Sequence, residues 1–203
     1  FGGQNTISTG ADDARSVFAA DVDSDGDLDV LSASHNDDKI AWYENDGSEN
    51  FTTHVISTAA DGAYSVFAAD VDGDGDLDLV VAVDNPGGNT GGQFSKFTNN
   101  GDGTFTSPGN LSDTGSDPWG VSAADFDGDG HLDFFCIIND YPPLLLVGDK
   151  RGRFPNEPLK VLTPALTKPK SVTAGDIDGD GDLDIWIAQY RDPYGSGRMP
   201  IPY

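Results

Sequence analysis

The chain has 203 residues, 36% of them hydrophobic, which is enough apolar material for a packed core. Eleven Lys and Arg against 35 Asp and Glu give a formal charge of -24, which excludes an electrostatic partnership with nucleic acid or an anionic membrane and makes cations the natural partners. No apolar run approaches the roughly 18 residues of a membrane span, and the chain starts at Phe1 without an initiator Met or signal peptide, as expected of a processed protein or a fragment.

The apolar residues fall in short runs broken by Gly, Asp, Asn and Pro, which predicts strands and turns throughout. At the start, Phe1-Gly2-Gly3-Gln4-Asn5-Thr6-Ile7-Ser8-Thr9 resembles the later segment Phe51-Thr52-Thr53-His54-Val55-Ile56-Ser57-Thr58. A self-similar unit then recurs four times: Ser16-Val17-Phe18-Ala19-Ala20-Asp21, Ser65-Val66-Phe67-Ala68-Ala69-Asp70, Gly120-Val121-Ser122-Ala123-Ala124-Asp125 and Ser171-Val172-Thr173-Ala174-Gly175-Asp176. The first aspartates lie 49, 55 and 51 residues apart. Each copy runs into an acidic loop and then a second apolar run, beginning at Val30, Leu79, Phe134 and Ile185.

In the first unit a third strand is expected over Ile40-Ala41-Trp42-Tyr43-Glu44, then a turn at Asn45-Asp46-Gly47 and a fourth strand near Phe51 to Ser57. The second repeats this plan after a Gly-rich insertion at Pro86 to Gly92, with Phe94-Ser95-Lys96-Phe97 as third strand. The third is less regular, with Pro142-Pro143 before Leu144-Leu145-Leu146-Val147. Four short strands in about 50 residues match a propeller blade. The predicted fold is therefore all-β, a β-propeller-like array of about four four-stranded antiparallel blades in a single repeat domain, 1–203. Its parts are a last strand of a permuted or neighbouring blade at 1–10, blades at 11–59, 60–114 and 115–165, and an incomplete blade at 166–203.

The acidic loops carry the chemistry. They place Asp21, Asp23, Asp25, Asp27 and Asp29 in the first copy; Asp70, Asp72, Asp74, Asp76 and Asp78 in the second; Asp125, Asp127, Asp129, His131 and Asp133 in the third; and Asp176, Asp178, Asp180, Asp182 and Asp184 in the fourth. Carboxylates at loop positions 1, 3 and 5 can converge on one hard cation, and Gly at position 6 permits the sharp turn, so calcium is the expected ion, about four in all. Position 7 is Asp27, Asp76, His131 or Asp182, a variability that points to its backbone carbonyl as the ligand. The Asp at position 9 can complete the oxygen shell, and Leu at position 8 is expected to pin the loop to the core. Four such ions would add eight positive charges and take the formal charge from -24 to -16.

An EF-hand would need Glu at position 12, where Ser32, Val81, Cys136 and Ile187 stand, and no His or Cys cluster suits zinc. The lone Cys136, inside an apolar run, is expected to be a buried packing residue without a disulfide partner.

The loops and the Val-Phe-Ala-Ala-Asp segments before them resemble the FG-GAP or VCBS repeats of integrin alpha-chain propellers and many secreted bacterial proteins. That resemblance implies a calcium-stabilised β-propeller with the loop aspartates as ligands. Ala19-Ala20 and their equivalents stand where the FG-GAP motif often has Gly, so the VCBS-like branch fits better.

On this reading the chain is a calcium-stabilised extracellular or cell-surface structural or adhesive protein, not an enzyme, whose first strand either closes a four-bladed ring within the chain, or completes a blade of a neighbouring copy so that the chain polymerises by strand exchange into a filament or surface array, or belongs to a larger propeller. The alternative is a lectin-like or integrin-like module for glycans or extracellular proteins, a segment of a larger secreted protein. Among its aromatics, Trp42 and Trp186 read as core, leaving Tyr43 and Trp119. His35, His54 and His131 lie near no recurrent Ser or Cys nucleophile. Asn50 and Asn110 head Asn-x-Ser/Thr sequons and are candidate glycosylation sites.

Overall fold

The computed structural model describes residues 6–84, 91–106, 109–114, 117–154, 159–160, 166 and 168–189, and among them it contains strands and turns but no helix. The first unit folds as one antiparallel sheet in which β1 (Ala14–Ala20), β2 (Asp29–Ser34), β3 (Lys39–Asn45) and β4 (Phe51–Ser57) lie side by side in chain order. The second is built alike from β5 (Ala63–Ala69), β6 (Asp78–Val83), β7 (Gln93–Phe97) and β8 (Gly109–Asp113). The third holds β9 (Pro118–Ala124), β10 (Asp133–Ile138), β11 (Leu144–Leu146) and the short β12 (Leu159–Lys160). Of the fourth, β13 (Pro169–Gly175) and β14 (Asp184–Gln189) are described. Residues 6–10 form no strand, residues 1–5 and 190–203 lie outside the described residues, and so does most of the Gly-rich insertion.

The innermost strands stand next to one another in succession, β1 against β5, β5 against β9 and β9 against β13. The sheets therefore stack face to face like blades around an axis, in an array that does not close into a ring among the described residues. Strand alternation explains the stacking, because successive side chains point to opposite faces and each middle sheet must be apolar on both. On β6, Leu79 and Val81 face the first sheet, whereas Val80 and Ala82 face the third. On β10, Phe134 and Cys136 face the second sheet and Phe135 and Ile137 the fourth. Each of the larger of these side chains, the Leu, Val, Ile and Phe, contributes about 1.5–3 kcal/mol when fully buried.

The repeat turns this packing into an internal comparison. Val66, Val121 and Val172 are equivalent residues of β5, β9 and β13, each packed against the preceding sheet, while their counterpart Val17 on β1 is 70% exposed. Leu31, Val80 and Phe135 are buried against the following sheet, while their counterpart Trp186 on β14 is 64% exposed. Trp186 thus departs from the core position its apolar run predicts. Its side chain points to the outer face of the fourth sheet, which no described residue covers. Trp42 is core as expected, 3% exposed and stacked on His54.

Candidate metal centres

Each acidic loop leaves the end of an innermost strand and re-enters the sheet at the second. In all four, the carboxylate at position 1 closes the loop by accepting backbone N–H groups. Asp21 accepts from Asp25 at 3.1 Å and Gly26 at 3.1 Å, Asp70 from Asp74 at 3.1 Å and Gly75 at 3.1 Å, Asp125 from Asp129 at 3.1 Å and Gly130 at 2.8 Å, and Asp176 from Asp180 at 3.2 Å and Gly181 at 3.1 Å. The carboxylate at position 5 accepts from the N–H of position 7, from Asp27, Asp76, His131 and Asp182 at 2.9, 3.0, 2.9 and 2.9 Å respectively. Asp23, Asp127 and Asp178 accept from the N–H of position 5.

Such turns need left-handed backbone at two places. Position 6 is Gly26, Gly75, Gly130 or Gly181, with φ between 87° and 100°. Position 4, which the sequence reading passed over, is also left-handed, and is Gly73, Gly128, Gly179 and, with a side chain, Ser24 at φ 63°. Three glycines in four copies were the available signal.

The result is a convergence of oxygens. Ligand atoms of Asp21, Asp23 and Asp29, of Asp125, Asp127 and Asp133, and of Asp176, Asp178 and Asp184 lie within 4.8 Å of one another, as do those of Asp70, Asp72 and Asp74 in the second loop. An all-oxygen donor set suits a hard cation.

Position 9 has a second task. Asp29, Asp78 and Asp133 are fully buried. Asp29 accepts from Val22 at 2.9 Å and Asn45 at 2.8 Å, and Asp133 from Phe126 at 2.8 Å and Gly148 at 2.9 Å, which ties the loop to the end of the third strand. Burial pushes the carboxyls of Asp23, Asp29, Asp78 and Asp133 above the ordinary range, with neighbouring loop carboxylates adding to it. These are groups whose charge a bound cation would neutralise.

The second loop differs for a visible reason. Lys96, on β7, places its Nζ 3.3 Å from Asp72 Oδ2 and 3.1 Å from Asp78 Oδ2. An internal ammonium thus stands beside Asp78, which is outside the carboxylate cluster of this loop, and Asp72 Oδ1 and Asp78 Oδ2 are both buried without a hydrogen-bond partner. Nothing in the loop motif announced this lysine.

The expectation for position 8 holds in part: Leu77 packs against the core, whereas Leu28 and Leu183 are exposed, and at position 2 Val22 and Val71 are buried while Ile177 is exposed. The position 7 side chains of Asp27 and Asp76 turn away to the hairpins, where a Cβ on Gly47 or Gly101 would come within 2.6 Å of them. Asn50 and Asn110 both lie exposed, Asn50 with its amide on Asp46 at 2.9 Å.

The loops also join blades. Gly103, in the hairpin of the second sheet, sits against Trp42 and Asp23 of the first, and Gly152, in the hairpin of the third, sits against Val71 and Asp72 of the second.

Fold and loops together define an array of repeats with one acidic loop per blade. A model of the FG-GAP-like repeat matches the chain over residues 21–81, 82–136 and 131–187, and the chain belongs to that family. Its fold is similar to that of a lectin from Agrocybe aegerita, described for specific recognition of non-reducing terminal N-acetylglucosamine, with a TM-score of 0.57 and 21% identity. The similarity covers 83% of this chain and 45% of the lectin, so the chain spans less than half of that protein's length. Comparison with curated proteins gives no match.

Proposed function

We propose that the chain is a calcium-stabilised extracellular repeat protein with a structural or adhesive role. About four calcium ions stiffen successive blades, and the chain associates with further copies of itself. The observation that carries this reading is a convergence of three loop carboxylates in every copy of the repeat. Asp21, Asp23 and Asp25 and their equivalents hold the ion with the position 7 carbonyls of Asp27, Asp76, His131 and Asp182, and the position 9 aspartates join directly or through water. Calcium supplies the positive charge that the buried carboxylates lack, and loops of this kind fill at the millimolar calcium of extracellular fluid. No catalytic role is assigned.

The end faces support self-association. Val17 and Trp186 occupy positions that are buried by an adjacent blade elsewhere in the repeat, so a head-to-tail contact between copies would reproduce the blade interface. Such a contact extends as a filament unless its rotation closes.

Titration calorimetry with calcium tests the metal reading, which expects about four sites and loss of one on replacing Asp21 by Ala; absence of binding overturns it. Sedimentation in saturating calcium tests association, and a monomer at all concentrations contradicts it.

A second reading, a module for glycans or extracellular proteins, is favoured by the fold shared with the lectin. A glycan array carries that test, and binding no greater than background counts against it.

A further inference from the structure

At the end of each innermost strand opposite its acidic loop, the strand register slips by one residue, between Ala14 and Ser16, Ala63 and Ser65, Pro118 and Gly120, and Pro169 and Ser171. The extra residue is Arg15, Tyr64, Trp119 or Lys170. Four bulges at one repeat position turn four dissimilar side chains toward the same axis, and bulges commonly serve to re-aim a side chain.

There the four side chains form a continuous stack. The Arg15 guanidinium lies 5.4 Å from the Tyr64 ring centre, the Tyr64 and Trp119 rings stack at 5.2 Å and 25°, and Lys170 Nζ stands 3.4 Å over the Trp119 ring. Beneath them, Ser16, Ser65 and Ser171 line a cavity of about 320 Å³. That volume is at the small end of ligand pockets.

The electrostatics are unusual for so acidic a chain. Lys170 meets no carboxylate at ion-pair distance among the described residues, and its neighbours include the charges of Arg15 and Lys168. On the Tyr64 side the rim is acidic, with Asp13 paired to Arg15 at 2.6 Å and with Asp84 and Asp117 close by. Asp13 thus offsets the charge of Arg15, whereas the Lys170 ammonium has no such counter-ion among the described residues. The outer aromatic faces are covered by the two cations, and the cavity wall offers a ligand the Lys170 ammonium at the Trp119 end and the hydroxyls of Ser16, Ser65 and Ser171.

We propose that this axial mouth binds a hexuronic acid unit, with its carboxylate on Lys170 and its hydroxyls on Ser16, Ser65 and Ser171. The proposal deepens the glycan-module reading and rests on it for the ligand class, but it needs no calcium at the site.

The test is titration of the calcium-loaded chain with glucuronate, galacturonate, glucose and acetate, followed by nuclear magnetic resonance. A uronate is expected to bind at least ten-fold more tightly than glucose or acetate, to shift the Trp119 indole resonances, and to lose at least ten-fold in affinity in Lys170→Met. Lys150→Met, on an exposed hairpin, serves as control and retains wild-type affinity. Lys170→Arg keeps the charge and is expected to keep most of the binding, which separates loss of the site from loss of the fold. Equal affinity for glucose, no uronate binding at 10 mM (about 2.7 kcal/mol of binding free energy at most), or unchanged affinity in Lys170→Met overturns the proposal. Binding of neutral glycans together with no binding of either uronate would overturn it while leaving the glycan-module reading intact.

Discussion

Asn99, on the second blade, donates its side-chain amide to the carbonyl of Val22 in the acidic loop of the first at 2.9 Å, and to Leu77 of its own loop at 3.2 Å. One buried amide thus fastens two loops in neighbouring blades. Replacing Asn99 by Ala leaves both carbonyls without this donor and is expected to destabilise the chain by about 1–3 kcal/mol in urea unfolding. No change in midpoint would show that the inter-blade bond is unimportant.

Gly103 seals the same interface. Its φ is 72°, and a Cβ would meet Trp42 Cζ2 at 2.6 Å, so Gly103→Ala is strained by both backbone and contact. Gly109 has no atom within 4 Å of an added Cβ and no left-handed φ. Thermal unfolding is expected to fall by several degrees for Gly103→Ala and to be almost unmoved for Gly109→Ala; the reverse order would contradict the packing.

The second loop has a tethered cation, and the cost of its removal depends on calcium. In chelator, Lys96→Met leaves the buried Asp78 carboxylate unpaired and is expected to cost about 3 kcal/mol. With calcium, the ion takes over the neutralising charge, so the calcium-induced rise in melting temperature should be larger in the variant than in the parent. An equal or smaller rise would mean that Lys96 does not compete with the ion.

The end faces yield a matched pair of substitutions. Val66→Asp buries a charge between two blades and is expected to unfold the chain, whereas Val17→Asp, at the same repeat position on the exposed face, should leave the melting temperature of the monomer within a few degrees. In sedimentation, Val17→Asp is expected to abolish any self-association. Equal destabilisation by the two would contradict the open face.

The strands and loops were legible because each rule was stated four times in the sequence: apolar alternation, then Asp at fixed spacing, then Gly at the left-handed turn. Trp186 misled because a single apolar run does not say whether a following blade covers it. Leu28 misled for a related reason, since a recurrent apolar residue can be retained for its backbone, and here the Leu28 carbonyl accepts the Asn45 amide at 3.1 Å. Lys96 lies 24 residues from Asp72 in the chain and meets it only through the pairing of β6 with β7. The bulged residues Arg15, Tyr64, Trp119 and Lys170 share a position but no chemistry, so only the backbone register unites them.

Cys136 provides a pH-dependent check on the core. Burial alone pushes its thiol above the ordinary 9.0, so the folded state favours the protonated form. That contribution is fully present below the unfolded value and is lost as pH rises through the higher folded one. At pH 8, below that ordinary value, a thiol reagent is expected to leave the native chain unmodified and to react fully in guanidinium. Rapid labelling of the native chain would contradict the packing of β10 between its neighbours.

The most direct test of calcium bracing is differential scanning calorimetry of the same sample with excess calcium and after chelation. With four carboxylate clusters neutralised, the calcium-loaded chain is expected to melt at least 10 °C above the chelated one, a shift of several kcal/mol by linkage. Identical melting curves in the two conditions would contradict the account.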